Sequence, residues 1–345
     1  MYPPIHKLMD RELKLCLELL KRSPNRTTLN RLYRSVNKEK FILISSEFPI
    51  EEELKTSKRY RLKEISDILN KSLLICSFRK KLLYDNLITL IKRFNQEKID
   101  FIILKSFAYS ELIKTRRISD LDFLIKAESL NKCLLILREM GFETVMKSEY
   151  YFRTFSNEVT MSLKSNPQIK VEPHLTITPK FSPFAVDNES LWNNSKIKYF
   201  DGQKARALSD EHNIIHISIH ALYQPALSTP FRDIYVISKI ISNKRINWES
   251  LVNDALQWNA GNFLYYSLFL AKKYFNAKVP KSVLVKLKKR NLQYLLLKFM
   301  LFKKLNFLRR KRYDVDDLLY ELIFAKFCDK FNIIRRVTYA IKSKL

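Results

Sequence analysis

Apolar residues at three- and four-residue spacing dominate the first part of the chain and predict helices. Leu8, Leu13, Leu15, Leu17, Leu19 and Leu20 crowd the segment from Ile5 to Leu20, and Pro24 ends it. Thr27 to Val36 reads as a second short helix, and Ile50 to Leu73 and Ile75 to Phe94 as two longer ones. The period then changes. Phe101 to Leu104 is a short apolar run, read as a buried strand. Lys105-Ser106 follows at its end, then a short amphipathic turn from Phe107 to Ile113. Asp120 to Ile125 alternates at its start and finishes apolar, which predicts a second strand. Glu128 to Met140 carries a leucine stripe and is followed by Gly141, where a helix C-terminal glycine belongs. Strands are expected at Phe142 to Met146, Tyr150 to Phe155, Val159 to Leu163, Ile169 to Ile177 and Lys196 to Phe200, with Asp201-Gly202 as a turn. Pro173 donates no hydrogen bond, so its strand is expected at a sheet edge or bent. From Ser209 the helical period returns, with Phe231 to Ile241, Trp248 to Trp258, Phe263 to Phe275 and Lys281 to Leu287 following.

This order predicts an α+β protein in three parts. Residues 1–97 form a helical lead-in packing on the sheet, 98–203 a small mixed sheet, and 204–345 a basic helical portion.

Composition narrows the partners. The 345 residues carry a formal net charge of +28, which favours polyanions: nucleic acid, nucleotides or an anionic membrane surface. A lysine-rich surface unrelated to any ligand gives the same number. Three glycines, Gly141, Gly202 and Gly261, are too few and too scattered for a Walker loop or a dinucleotide-binding turn. Cys16, Cys76, Cys133 and Cys328 stand far apart in apolar surroundings, as reduced core residues do. No apolar run is long enough to span a bilayer, and the N-terminus lacks a signal-peptide core. A cytoplasmic location is therefore expected.

The chemistry gathers around the two predicted strands that flank Lys105. Asp120 and Asp122 are two apart on a strand and project to one side. Two neighbouring carboxylates repel unless a cation lies between them, and hard oxygen donors favour Mg²⁺ or Mn²⁺. On a later strand Lys170, Glu172 and His174 share a face, and Glu172 is the candidate third carboxylate. His174 is expected either to touch a nucleotide or acceptor, or to hydrogen-bond a carboxylate. His212, His216 and His220 stack at four-residue spacing on one helix face, without the partners of a zinc-protease site. They read as partly buried or satisfied side chains. Beyond residue 290, Lys303-Lys304, Arg309 to Arg312 and Arg335-Arg336 interleave with Tyr294, Phe299, Phe302, Phe307 and Tyr313. That suits either an RNA partner or a solvated helical cap. Asp314, Asp316 and Asp317 suit the start of a last helix.

These motifs resemble the uncharacterised nucleotidyltransferase family of the polymerase-beta-type superfamily. The resemblance rests on Leu104-Lys105-Ser106, Arg116-Arg117, Asp120-Leu121-Asp122 and Glu172-Pro173-His174, and covers roughly 80–290. Ser106 replaces the family's glycine, so a backbone needing positive φ there would be strained. The resemblance implies a nucleotidyltransferase fold and transfer of a nucleoside monophosphate from an NTP such as ATP to an acceptor hydroxyl, with release of pyrophosphate. It implies that Asp120, Asp122 and Glu172 hold Mg²⁺ or Mn²⁺. Glu172 would also help deprotonate the acceptor. Lys105, Ser106, Arg116, Arg117 and His174 would bind the nucleotide. His220 and Asp233 match family positions and are expected to tie the helical portion to the sheet or to touch base or ribose. The acceptor is open: tRNA or other RNA, a protein side chain or a small molecule. The charge tilts it toward RNA, and the resemblance allows a toxin of a toxin–antitoxin pair. Two other readings are a catalytically silent module that binds nucleic acid through its basic helical half, and a peripheral protein bound to anionic lipid.

Overall fold

The computed structural model describes residues 11–21, 24–45, 48, 63–105, 107–109, 111–112, 120–145, 154–223, 230–304, 321–326 and 329–342. Helices α1 (Arg11–Leu19), α2 (Arg26–Ser35) and α3 (Lys38–Ser45) come first. Asn25 caps α2 by accepting from Thr28 N at 2.9 Å, which satisfies one of the free N–H groups of the first turn. The long helix α4 (Lys63–Gln96) follows. The sequence pattern predicts a break near Leu74, but α4 runs through it. It contains neither Pro nor Gly, and Leu74 and Phe78 face water, 73% and 71% exposed. The apolar pattern there shifts phase because those residues lie outside the core.

Among the described residues, seven strands form one mixed sheet in the order β3-β4-β5-β2-β1-β7-β6. They are β1 (Phe101–Ile103), β2 (Leu121–Ile125), β3 (Phe142–Thr144), β4 (Met161–Leu163), β5 (Asn166–His174), β6 (Lys196–Phe200) and β7 (Gln203–Ala207). β2 pairs antiparallel with β1 and parallel with β5, and β1 pairs parallel with β7. Every residue of β1 and β2 is buried, as befits central strands covered on both faces. The β6–β7 hairpin carries the sheet on to Ala207. Its second strand, Gln203-Lys204-Ala205-Arg206-Ala207, escapes the hydropathy pattern because its inward residues are only alanines.

Two other expectations change. β5 is not an edge strand, for it pairs with β2 on one side and β4 on the other. Pro173 is tolerated because the regular β4 ladder ends at Val171, leaving an isolated Glu158–His174 bridge beyond. Val159 N donates to the Pro173 carbonyl at 3.1 Å, so the missing donor falls in this irregular stretch. Within the predicted strand at 150–155, Thr154 and Phe155 are helical, and 150–153 lie outside the described residues.

α5 (Leu130–Glu139) ends at Gly141, whose φ of 88° suits the left-handed C-terminal position. α6 (Asn188–Asn193) precedes β6. The C-terminal helices are α7 (Asp210–Tyr223), α8 (Pro230–Asn243), α9 (Trp248–Gln257), α10 (Gly261–Phe275), α11 (Lys281–Leu287), α12 (Leu292–Lys304) and α13 (Lys330–Lys342). Ser209 Oγ accepts from His212 N at 3.1 Å and caps α7. One continuous core joins the sheet, the second half of α4 and helices α7 to α12. The first three helices form a separate cluster with Ile65 and Leu69 of α4 and Phe231 of α8. Among the described residues of the lead-in, therefore, α4 alone covers the sheet, and α1 to α3 pack on helices instead. Cys16, Cys76 and Cys133 are buried, and Cys328 lies outside the described residues. Among the described residues, no helix is long and apolar enough to cross a membrane.

Phe94 of α4 meets Phe101 of β1 and Phe123 of β2 edge-on, with centroids 5.2 and 5.3 Å apart. This contact fixes the long helix over the two strands that carry the site residues. Phe123→Ala is expected to destabilise the fold by about 3–5 kcal/mol, measured by urea denaturation followed by circular dichroism.

Candidate active site

β2 and β5 run parallel with Asp122 opposite Glu172 and Leu124 opposite His174. Parallel strands lie about 4.8 Å apart, and partners in register point to the same side. The pairing therefore sets two carboxylates side by side at the centre of the sheet. The end of β1 is tied to the same point, since Leu104 N donates to Asp122 O at 3.0 Å. Lys105 then turns with φ at 51°, the left-handed region. It is this lysine that takes the unusual backbone. Ser106, where strain was expected, lies outside the described residues, as do Arg116 and Arg117.

The Lys105 ammonium donates to Asp122 Oδ1 at 2.8 Å. His174 Nε2 meets the same oxygen at 3.0 Å, and its Nδ1 meets Glu158 Oε2 at 3.1 Å. An imidazole with a carboxylate at each nitrogen is best satisfied as the doubly protonated cation. Burial works against that charge, but Glu158 and the Asp122 bond outweigh it and raise the His174 pKa. Burial also disfavours ionised Asp122, yet Lys105 and His174 hold its carboxyl well below the usual range. Lys105 is likewise opposed by burial and held protonated by Asp122, Asp120, Glu158 and Glu172.

Glu172 behaves in the opposite way. Burial, then the charges of Asp122, Asp120 and Glu158, push its carboxyl up to about 8. Thr160 Oγ1 donates to Glu172 Oε1 at 3.1 Å. Asp120, half-buried just before β2, is close enough for its charge to act on both Glu172 and Lys105. Among the described residues, one group of acidic and histidine side chains has ligand atoms all within 4.8 Å of one another: Asp122, Glu172 and His174. Both His174 nitrogens already face carboxylates, so the donors best suited to a cation are oxygens. That donor set fits a hard divalent ion such as Mg²⁺ or Mn²⁺.

Glu158 and Thr160 were not evident from the sequence. They follow an irregular turn, and only their two-residue spacing hints that they share a strand face. The segment after Lys105 is anchored by Tyr109, whose hydroxyl donates to Asp210 Oδ1 at 2.8 Å, while Lys196 holds Oδ2 at 2.7 Å.

Among the described residues, the three spaced histidines of α7 belong to no group able to hold a metal ion. His212 pairs with Asp254 at 3.4 Å and packs on Trp258 with ring centroids 4.9 Å apart. His216 is buried, and burial together with Lys105 and His220 keeps it neutral. His220 Nδ1 meets Asp233 Oδ2 at 2.8 Å, and Arg232 Nε donates to Asp233 Oδ1 at 3.1 Å. That pair joins α7 to α8, two helices of the C-terminal portion.

A mixed sheet with carboxylates in register on adjacent parallel strands, and a lysine at the neighbouring strand end, defines an α+β fold of the nucleotidyltransferase class. The chain belongs to the uncharacterised nucleotidyltransferase family, whose sequence model matches residues 51–276, and by that membership it is an enzyme of this class. No curated protein matches it. Several solved structures are similar. An antigenic nucleotidyltransferase-like protein from Paracoccidioides brasiliensis is 18% identical, with 59% of this chain and 95% of that one covered and a TM-score of 0.37. The antibiotic-resistance factor ANT(2'')-Ia is 13% identical, with 57% and 98% covered and a TM-score of 0.37. MenT4, a nucleotidyltransferase toxin from Mycobacterium tuberculosis H37Rv, is 12% identical, with 76% and 94% covered and a TM-score of 0.35. At this distance none of them bears on the substrate of this chain.

The raised Glu172 carboxyl has a measurable consequence. Its folded value, about 8, lies above its ordinary value of 4.5, so the protonated form favours folding. That contribution is whole below about 4.5 and is lost as pH rises through about 8. The thermal midpoint of the metal-free protein should therefore fall between about pH 5 and pH 8, and Glu172→Gln should flatten that slope. Equal slopes in calorimetric scans of the two proteins would contradict the assignment.

Proposed function

We propose that this protein moves a nucleoside monophosphate from a nucleoside triphosphate to an acceptor hydroxyl, releasing pyrophosphate. The in-register Asp122–Glu172 pair is the observation that carries this reading. Asp122, Glu172 and the neighbouring Asp120 would hold Mg²⁺ or Mn²⁺. Such an ion, when bound, neutralises charge on the triphosphate and orients the attacking oxygen.

The remaining work belongs to side chains. Lys105 reaches over the acidic pair from the end of β1, and a triphosphate arriving there exchanges a carboxylate partner for a phosphate one. His174, clamped between Asp122 and Glu158, keeps the Asp122 carboxylate ionised and oriented. It is a positioning residue in this account. Glu172 is poised near neutral pH and accepts the proton of the acceptor hydroxyl as the new O–P bond forms. Ser106, Arg116 and Arg117 enter as phosphate contacts by their sequence positions alone.

The direct test is incubation with each labelled NTP, Mg²⁺ or Mn²⁺, and total RNA or protein extract. Label transferred by the wild type and lost in Asp122→Asn supports the reading, and equal labelling by both contradicts it. Cation binding gives a second test. Asp122→Asn should raise the Mn²⁺ dissociation constant by about 100-fold or more in calorimetric titration. Wild-type affinity should also climb with pH up to about 8, because the ion displaces the Glu172 proton.

A further inference from the structure

A cleft of about 750 Å³ opens between α4 and strand β6, lined by Ser77, Lys80, Lys81, Tyr84, Lys198 and Tyr199 among others. We propose that it binds a single-stranded polynucleotide and presents it to the acidic pair as the acceptor. This rests on the transferase reading above and adds the class of acceptor.

The volume suits a ligand the size of one or two nucleotides. The lining combines ammonium groups with aromatic rings, the pairing that binds phosphates and unpaired bases together. The one carboxylate among the lining residues, Glu111, is held by Lys198 at 3.1 Å. Lys198 also donates to the Ala108 carbonyl and lies 4.8 Å from the Tyr109 ring centroid, so it is a fixed wall. Lys81 is different. It is 77% exposed and pairs with the exposed Asp85 at 3.1 Å within one turn of α4. Such a pair is weak and salt-screened, and readily exchanged for a phosphate.

Large rings stand bare beside these lysines. Tyr199 on β6 and Phe78 on α4, next in the chain to Ser77, are each 71% exposed. Tyr199, which lines the cleft, leaves its ring face open to a stacking base. A duplex hides its bases, whereas a single strand offers them. An extended peptide added to the β6 edge is disfavoured, because lysines such as Lys196 and Lys198 guard edge strands against pairing.

Position links the cleft to the chemistry. The Ala108 carbonyl that Lys198 holds is three residues beyond Lys105, at most about 11 Å along the chain. One wall of the cleft is therefore tied to the segment that leads away from Lys105, whose ammonium bonds Asp122.

The test is fluorescence anisotropy on the full chain with a labelled RNA of about twelve nucleotides, its duplex, and polyglutamate. The single strand should bind at least about 10-fold more tightly than either comparator. Lys80→Glu with Lys81→Glu should weaken it about 10-fold and lower the salt slope by about 1.4, two phosphate contacts at roughly 0.7 each. Tyr199→Ala should weaken it about 10-fold through lost stacking and leave the salt slope unchanged. Circular dichroism checks that these surface variants fold. Unchanged strand binding in both variants, or tighter binding of polyglutamate, overturns the proposal. Label transfer separates the two claims. A wild type that transfers label to RNA no better than the lysine variant removes the cleft alone. A wild type that binds the strand and transfers no label from any NTP, to any acceptor in the extracts, removes the transferase reading.

Discussion

Two carboxylates placed in register on adjacent strands near the centre of the sheet are a liability that the rest of the structure is arranged to hold. Asp122 and Glu172 lie opposite each other on β2 and β5, where water screens little. The protein treats them unequally. Asp122 receives Lys105 and His174 and stays ionised, while Glu172 receives a hydroxyl and is pushed toward its neutral form. Separating the two pKa values lets the pair stand side by side, and a cation bound as proposed would displace the remaining proton.

The fold explains how this imbalance is kept. β2 is buried along its whole length and sits between β1 and β5, so its register cannot slip by one residue without turning Asp122 into the opposite face. Phe94, Phe101 and Phe123 lock α4 onto that register from one side. Beyond Lys105, Tyr109 bonded to Asp210 ties the following segment to the first turn of α7. The helical portion thus supports the sheet, and the His220–Asp233 bond stiffens the helix pair within it.

Much of this was legible in the sequence, for reasons that can be named. Phe101 to Leu104 and Leu121 to Ile125 are apolar enough to announce buried strands, and strand alternation alone puts Glu172 with His174; Asp120, read onto the strand with Asp122, lies just before it. The parallel pairing of β2 with β5 was not legible, because roughly fifty residues and two other strands intervene. Neither was β7, whose alanines carry almost no hydropathy signal, nor the continuity of α4, whose exposed Leu74 and Phe78 mimic a phase break. Pro173 suggested an edge strand or a bend, because a sequence does not reveal that a neighbouring ladder stops two residues short of it. Glu158, which completes the clamp on His174, comes from an irregular turn that no period marks.

Anomalous diffraction from crystals grown with Mn²⁺ and a non-hydrolysable triphosphate analogue would test the central claim most directly. The account predicts a manganese peak coordinated by carboxylate oxygens of Asp122 and Glu172, with the Lys105 ammonium turned from Asp122 toward phosphate. Manganese bound elsewhere, with the Lys105–Asp122 and His174–Asp122 contacts unchanged beside the triphosphate, would contradict it.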